Sequence, residues 1–331
     1  MKRLLNTLYV TTPETYLRLE GETVIILRDD SELGQIPLIN LSAIVCFGYR
    51  GVSPSLMGYC AEHGIDLSFM TPHGRFLARV SGPVRGNVLL REAQTLLATD
   101  AMRSLEPAKA FISAKLYNCR TVLERTVRDH EHRIDAELFA GVIDQHRRCI
   151  SELQTAEDIG TVMGIEGAAA KAYFSVFGQM ILRNRNDFPF EDRNRRPPTD
   201  RVNALLSFAY TLLTNEICGA LESVGLDPYI GYLHQKRPGR CSLALDFLEE
   251  FRASYADRFV LSQINLGTLT ADDFDVKENG AVFLRDDARS RFLKAWQSKK
   301  SETLTHPFLR EKVQWGLVPY AQAMLFSRWL R

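Results

Sequence analysis

The segment Ser81-Gly-Pro-Val-Arg-Gly-Asn87 separates two parts of the sequence that have different periodicities. Before it, β-rich runs alternate with turns that contain glycine and proline, which is the pattern of short strands. From Val88 onward, apolar residues recur every three to four positions, which is the pattern of amphipathic helices. We therefore expect an α+β protein, with a small N-terminal β-rich, sandwich-like domain at residues 1–84 and a larger all-α domain at residues 85–331.

The β-rich part has one clear hairpin pattern and one clear helix pattern. Tyr16–Leu27 places two β-rich runs around a central Glu-Gly pair, which predicts a hairpin. Ser53-Pro54 provides an N-cap followed by proline in the first turn, and the helix predicted after it ends at Gly64. Further strands are predicted at 38–47, 65–70 and 76–80.

The second part predicts a series of helices interrupted by one hairpin. Its periodicity places helices at about 88–98, 107–124, 129–154, 156–182, 199–223, 242–254 and 303–328. Between the last two, Phe274–Leu284 carries Asn279-Gly280 between alternating runs, which predicts a hairpin with a type I′ turn.

The composition limits the possible environments and partners. The 41 Lys+Arg residues nearly balance the 40 Asp+Glu residues, so any surface for nucleic acid has to be local. The six cysteines form no CxxC pair, which favours reduced, mostly buried thiols over a zinc ribbon. Because we find neither a signal peptide nor a run of about 18 apolar residues, we expect a cytoplasmic protein without a membrane span.

The first candidate for chemistry is Glu166, which lies among small residues in Gly164-Ile-Glu-Gly-Ala-Ala-Ala-Lys-Ala-Tyr-Phe174. Small neighbours allow other backbones to approach this carboxylate closely. Taken alone, the pattern is more typical of a closely packed helix whose glutamate faces solvent.

The second candidate combines a loop histidine, His234, with a helix that carries Asp246 and Glu249. The two acids are three residues apart, so they share the side of the helix opposite the apolar residues Ala244, Phe247, Leu248 and Phe251. A solvated face is the usual explanation of such a pattern. The loop before this helix, however, also contains Lys236, Arg237 and Arg240, which is more charge than a plain solvated helix requires.

Carboxylates and one imidazole are suitable ligands for a hard divalent ion, either Mn²⁺ or Mg²⁺. Such an ion could polarise a phosphoryl oxygen, and the neighbouring cations could hold backbone phosphates. This is the chemistry that phosphodiester transfer needs.

A third candidate is the arginine-rich segment 182–203, which includes Arg195 and Arg196 and also Phe188 and Phe190. Its guanidinium groups suit phosphate contacts, and its aromatic rings could pack or stack on bases. The alternative is a solvated connector whose acids cancel part of the charge.

Four segments of this region resemble, in the same order, those of the CRISPR-associated adaptation integrase, the core protein that inserts spacers into a repeat array in antiviral defence. They are the Gly164–Phe174 segment quoted above, Arg195–Tyr210, Leu226–His234 and Ser242–Arg252. The β-rich start and helical remainder fit the two-domain plan of that family, with the helical domain catalytic.

The resemblance implies particular site residues. The metal-binding glutamate of the family corresponds to Glu166, its histidine to His234, and its two acids to Asp246 and Glu249. Many members have aspartate at the position of Glu249, which leaves open which acid binds the metal directly; we favour Glu249.

The resemblance also implies partners and a reaction. The partners are DNA, as a short duplex fragment and the CRISPR repeat, a second copy of the chain joined through the β-rich domain, and a small companion adaptation protein that bridges two dimers. The implied reaction is transesterification, in which the 3′-hydroxyl of the fragment attacks a phosphodiester at the repeat boundary.

Two other functions fit the same residues. One is a metal-dependent nuclease of branched or single-stranded DNA that never joins strands. The other is a non-catalytic DNA-binding scaffold, in which Glu166, His234 and Glu249 form a structural polar cluster. Assays for strand joining distinguish the nuclease from the integrase, and a metal titration distinguishes the scaffold from both enzymes.

Overall fold

The computed structural model describes residues 6–29, 31–48, 50–82, 88–195 and 197–331, which group into two compact units. The first unit comprises the described residues of Met1–Gly86 together with Arg285–Met324. The second comprises the described residues of Asn87–Leu284 together with Leu325–Arg331. The expected α+β organisation, β-rich at the N-terminus and helical afterwards, is confirmed.

In the N-terminal part of the first unit, the described residues form two sheets and one α-helix. Its elements are β1 (Thr7–Val10), β2 (Thr15–Glu20), β3 (Thr23–Arg28), β4 (Ser31–Pro37), β5 (Ala43–Phe47), α1 (Pro54–His63), β6 (Asp66–Met70) and β7 (Phe76–Val80). One sheet has the order β1-β5-β6-β7, in which only the β6/β7 pair is antiparallel, and the other is the antiparallel β2-β3-β4 sheet. Both sheets and α1 contribute to one core, through residues such as Leu17, Val24, Ile44, Leu56 and Leu67.

The capping residues of α1 act as the sequence predicts. Ser53 Oγ accepts a hydrogen bond from the backbone N–H of Leu56 at 3.2 Å, which satisfies one free donor of the first turn. Gly64 ends the helix with φ of +69°, a conformation that glycine adopts without a steric penalty. The predicted hairpin is also confirmed, as β2 paired with β3.

Helices make up most of the described part of the second unit. They are α2 (Val88–Thr99), α3 (Ala101–His130), α4 (Ala136–Thr155), α5 (Ile159–Phe177), α6 (Arg201–Ser223), α7 (Ser242–Phe251) and α8 (Arg258–Asn265). A π-helical segment, Arg252–Asp257, joins α7 to α8. The start predicted for α3 at 107 is wrong, because Asp100 caps the helix and Pro107 lies inside it.

The hairpin of this unit consists of β8 (Phe274–Val276) and β9 (Val282–Leu284), but its turn differs from the predicted type I′. Lys277 N donates to Ala281 O, and Gly280 N donates to Lys277 O. Of the three loop residues these bonds enclose, only Gly280 has a positive φ, whereas type I′ requires two consecutive ones. The hairpin therefore has a three-residue loop that ends in a glycine bulge.

The C-terminal segment differs most from the sequence prediction. A helix, α9 (Asp286–Ser301), is followed by the paired strands β10 (Thr303–Thr305) and β11 (Lys312–Gln314), and by α10 (Val318–Trp329), so the continuous helix predicted at 303–328 is wrong. Phe292 and Trp296 of α9 are fully buried, and Arg289 donates to the carbonyl oxygen of Pro72. These contacts place Arg285–Met324 in the first unit, although the sequence division at 84/85 assigns it to the helical domain.

Helix α6 is the one described helix with the length and apolar character of a membrane span, but 72% of its most apolar window is buried inside the protein. This burial fits a core helix of the second unit. The cysteines agree with the sequence prediction, because all six are free thiols and five of them are buried.

Candidate active site

A short loop closes around the carboxylate of Asp246 on α7. Asp246 Oδ2 accepts hydrogen bonds from the backbone N–H groups of Tyr232 at 2.7 Å and Leu233 at 3.1 Å. Its Oδ1 accepts from the backbone N–H of His234 at 2.9 Å and lies 2.7 Å from His234 Nδ1. Asp246 is completely buried, so these four contacts are its whole polar environment among the described residues.

These contacts also distinguish Asp246 from Glu249, the other candidate acid on α7. A carboxylate has about four lone-pair positions, and Asp246 uses all of them for the loop. Metal binding by Asp246 would leave buried backbone donors unsatisfied, at a cost of about 1–3 kcal/mol each. The geometry therefore favours Glu249 over Asp246 as a direct ligand. The solvated-face interpretation does not hold, because Glu249 is only 4% exposed.

Two further residues hold this loop in place. Gln94 of α2 is fully buried, donates from Nε2 to the carbonyl oxygens of Asp227 at 2.8 Å and Ile230 at 3.1 Å, and accepts from Asp227 N at 3.0 Å. Gly231 lies so close to α7 that an added Cβ would be 2.7 Å from the backbone carbonyl carbon of Ser242 and 2.8 Å from Asp246 Oδ2. Only glycine fits at this position without a shift of the loop.

A buried lysine joins the other two candidate acids. Lys115 Nζ on α3 donates to Glu166 Oε1 on α5 and to Glu249 Oε2 on α7, the latter at 2.6 Å. The side chains of Lys115 and Glu249 are 6% and 4% exposed, whereas that of Glu166 is 25% exposed. The structure thus brings together two carboxylates that are far apart in the sequence, with Glu166 on the more open side.

The opposite oxygen of Glu249 is paired as well. Arg252 Nη2 lies 3.1 Å from Glu249 Oε1, and the guanidinium packs over the ring of Tyr210, 5.0 Å from its centroid. Burial raises the pKa of Glu249, but Arg252 and Lys115 together lower it to about 2, with a smaller contribution from His234. Glu249 is therefore a carboxylate at neutral pH, and His234 lies near enough to act on its charge.

Asp246 orients the ring of His234 through Nδ1. Its side chain is 18% exposed, and its Nδ1 faces Asp246. With Nδ1 carrying the proton toward the carboxylate, the Nε2 lone pair is available as a ligand, which is the arrangement common for metal-binding histidines.

The donor set suits a divalent ion, but the described residues do not present it as a ready cluster. No group of three His, Cys, Asp or Glu side chains in that part of the chain is close enough to hold an ion as it stands. Glu166 and Glu249 each pair with the ammonium of Lys115. These carboxylates are arranged around a cation, so their position and chemistry fit a metal that takes the place of the ammonium.

Comparison with known proteins identifies the family. A family model described as CRISPR associated protein Cas1 matches residues 8–298. A relative from Chlorobaculum tepidum named CRISPR-associated endonuclease Cas1 1 is 50% identical over 331 residues, which cover 100% of this chain and 96% of the relative. The chain belongs to the Cas1 family. The resemblance inferred from the four sequence segments is confirmed.

Solved structures share the fold of this Cas1 family member. A casposase bound to integration product is similar with a TM-score of 0.83 at 23% identity, over 98% of this chain and 90% of that chain. A Cas6-RT-Cas1–Cas2 complex contains a chain that is similar with a TM-score of 0.81 at 22% identity, over 98% of this chain and 35% of that chain. At such identities the likeness establishes the architecture, not the residue roles.

The predicted DNA-contacting cations of this Cas1 chain lie in two places. Lys236 and Arg237 are exposed on the loop that follows His234, and Arg240 on the same loop is partly exposed. Lys236 Nζ donates to the carbonyl oxygen of Ala98 at 3.0 Å. Arg195 is exposed on the segment before α6, and Arg196 lies outside the described residues. Their role in DNA binding stays a prediction.

Most of the arginine-rich segment stabilises the fold. Arg185 donates to the carbonyl oxygens of Ile181 at 2.6 Å and Gln179 at 2.9 Å, and Arg201 donates to that of Asp187 at 2.6 Å. Arg193 donates to Asn203 Oδ1 at 2.6 Å and Ser207 Oγ at 3.0 Å. The two phenylalanines pack, as one sequence alternative proposed: Phe188 is 1% exposed, and Phe190 lies against Phe177 with ring centroids 5.0 Å apart.

Arg252 is also close to a second buried polar cluster, which contains Tyr210 and Asp257. Tyr210 donates to Asp257 Oδ1 at 2.5 Å, and the guanidinium carbons of Arg193 and Arg252 lie 5.3 and 5.0 Å from the centroid of its ring. Tyr173 also faces Asp257, although its hydroxyl does not reach hydrogen-bond geometry. Burial raises the pKa of Asp257 to about 6, against the lowering effects of Tyr210 and Arg252.

Sequence reasoning missed Lys115, Gln94, Arg252 and Asp257. The sequence does contain one sign of Lys115. The lysine follows Ile112 by three residues and precedes Cys119 by four, so this spacing places a charge on the buried side of α3. A lysine on an apolar helix face is rarely buried without a carboxylate partner. Its partners come from other helices, so the sequence alone could not name them.

Proposed function

We propose that this Cas1 family protein is a metal-dependent DNA endonuclease/integrase that inserts short DNA fragments into a CRISPR repeat array by phosphodiester transesterification. The observation that carries the proposal is the meeting of Glu166 and Glu249, from two different helices, at the buried ammonium of Lys115. The name of its 50% identical relative, an endonuclease, supports the reaction class. The structurally similar casposase is bound to integration product, which is consistent with strand joining.

Glu166, Glu249 and Nε2 of His234 would hold the ion, which is Mn²⁺ or Mg²⁺. The ion supplies Lewis acidity to a phosphoryl oxygen and to an attacking hydroxyl. Asp246 fixes the ring of His234 and the loop behind it, so that the imidazole presents Nε2 without rotation. Arg252 keeps Glu249 ionised at neutral pH.

The reaction exchanges one phosphodiester bond for another. The 3′-oxygen of the incoming fragment forms a bond to phosphorus, the bond to the 3′-oxygen of the repeat strand breaks, and the proton of the attacking hydroxyl is transferred to the leaving oxygen. Lys236, Arg237 and Arg240 are placed on the loop after His234, where they would hold backbone phosphates on either side of the scissile bond.

We also propose the assembly in which the reaction takes place. Two chains would join through their β-rich units, and a small companion protein would bridge two such dimers. The solved Cas6-RT-Cas1–Cas2 complex supports a companion of this kind, because Cas2 is part of that assembly. The partner DNA would be a short duplex and the repeat, and the location cytoplasmic.

The test compares Glu166→Gln and His234→Ala with the control Glu152→Gln, which removes an exposed carboxylate from α4. Strand joining, cleavage, DNA affinity and thermal unfolding are measured on each, with Mn²⁺ and with EDTA. Both site variants should lose joining by about a hundredfold or more while retaining DNA affinity, because affinity comes from many surface cations. The control should match the parent protein.

The same assays separate the alternatives. Cleavage without joined product, at any fragment length, would indicate a nuclease that only hydrolyses. Equal DNA binding without divalent ions, together with no conversion of substrate, would indicate a scaffold. An unchanged joining rate in Glu166→Gln would remove the proposed site altogether.

A further inference from the structure

We propose that Lys115 is an internal counter-ion that holds the metal position of the site, so that a divalent ion binds only as the ammonium gives way. The inference rests on the proposed function, since it concerns the same acids. Lys115 would then have two opposing effects. It stabilises the metal-free protein, and it lowers the affinity of the site for a metal ion.

The contacts of Lys115 place it where a metal would lie. Its Nζ donates to one oxygen of Glu166 and, at 2.6 Å, to one oxygen of Glu249. The lysine side chain is 6% exposed, so its charge is removed from water and depends on these two carboxylates for compensation.

The charges of the four side chains that contact one another balance without any added ion. Glu166 and Glu249 carry two negative charges, and Lys115 and Arg252 carry two positive charges. A divalent ion added beside both cations would leave a large excess of positive charge in a poorly solvated site. If the ammonium moves away, the acids are free to bind the ion. Arg252 does not need to move, because it contacts the other oxygen of Glu249.

Replacement of Lys115 should therefore separate stability from metal affinity. In Lys115→Met, Glu166 and Glu249 lose their shared cation, so the midpoint of thermal unfolding in EDTA should fall by about 5 °C or more. Mn²⁺ should restore this midpoint. The dissociation constant of Mn²⁺, measured by calorimetry on the full chain, should be at least about tenfold lower for the variant than for the parent protein. The matched control is Lys109→Met on the same helix, whose ammonium contacts only the carbonyl oxygen of Gln154 at 3.0 Å among the described residues; it should change neither quantity.

A double variant tests whether charge is the cause. Lys115→Met combined with Glu166→Gln leaves Glu249 paired with Arg252, so the unfolding midpoint in EDTA should recover most of the loss. If Lys115→Met does not fold in EDTA but the double variant does, the inference is supported. If the double variant is as unstable as the single one, side-chain volume is the cause and the inference is wrong.

Metal binding distinguishes this inference from the proposed function. A parent protein that joins DNA with Mn²⁺, together with a Lys115→Met variant that binds Mn²⁺ no more tightly, would overturn only the counter-ion role. Weak binding by the parent and tight binding by the variant supports both. If neither protein binds Mn²⁺, both fail.

Discussion

Nδ1 of His234 lies 2.7 Å from Oδ1 of Asp246, and the same carboxylate accepts the backbone N–H of His234. One buried acid therefore fixes both the main chain and the ring of the predicted metal ligand. The sequence analysis places Asp246 and Glu249 on one helix face and favours Glu249 as the direct metal ligand. The structure gives them different environments, because the polar contacts of Asp246 among the described residues all come from the loop, whereas Glu249 contacts Lys115 and Arg252.

Asp246→Asn should reduce both strand joining and stability. Asparagine has one acceptor oxygen, so its amide would face a backbone N–H of the loop, donor against donor. We expect a loss of about 10- to 100-fold in Mn²⁺ affinity or joining rate, and about 1–3 kcal/mol in the free energy of unfolding. The control is Asp144→Asn, whose side chain is 57% exposed. Normal Mn²⁺ affinity in Asp246→Asn would show that His234 does not depend on this contact.

Gly231→Ala should have a similar effect without any change of charge. The added methyl group would lie 2.7 Å from Ser242 and 2.8 Å from Asp246 Oδ2, so the loop has to move away from α7. We expect about 1–3 kcal/mol of destabilisation by denaturant unfolding and a loss of joining. Gly141→Ala is the matched control, because its Cβ meets nothing within 4 Å and helix propensity predicts a gain of about 0.4–1 kcal/mol. Equal stabilities of the two variants would contradict the close packing at position 231.

The sequence predicts most of the fold because its signals are local. The cap at Ser53, the stop at Gly64 and the hairpin of β2 and β3 each depend on neighbouring residues, and all are found in the structure. The error at 303–328 arises because β10 and β11 are only three residues each, too short to interrupt a helical pattern convincingly.

The candidate site is less accessible to sequence reasoning because its partners come from distant helices. The resemblance could name Glu166 and His234 as candidates, and their roles stay predictions. It gave no reason to connect Lys115 on α3 with Glu249 on α7, or Gln94 on α2 with the loop before His234. Such pairs depend on how helices pack, which periodicity does not specify.

Arginines near the site should divide into two functional groups. Arg193→Gln removes donors to Asn203 and Ser207, so it should lower the free energy of unfolding by about 1–3 kcal/mol. Arg237→Gln replaces an exposed side chain, so it should leave stability nearly unchanged while weakening DNA binding and reducing its salt slope by about one unit. Affinity measured at several salt concentrations, with thermal unfolding of the same samples, checks both. A reduced salt slope in a stable Arg193→Gln protein would reverse the assignment.

The pH dependence of stability should reveal the buried Asp257. Burial raises its pKa from 3.8 to about 6, although Tyr210 and Arg252 act in the opposite direction. Between these values the folded protein retains a proton that the unfolded chain has released. Stability therefore falls as pH rises through this window, by about 3 kcal/mol in total for this group.

Asp257→Asn removes this titration, because the amide stays neutral at every pH. Relative to the parent protein, the variant should gain about 2 kcal/mol in the free energy of unfolding as the pH rises from 4 to 6.5. Glu249 acts in the opposite sense: its folded pKa of about 2 gives stability that is lost as pH falls below about 4.5. Since both proteins contain Glu249, the difference between their denaturation curves isolates Asp257. A difference that does not vary with pH would mean that Asp257 titrates as an ordinary carboxyl, held ionised by Arg252 and Arg193 despite its burial.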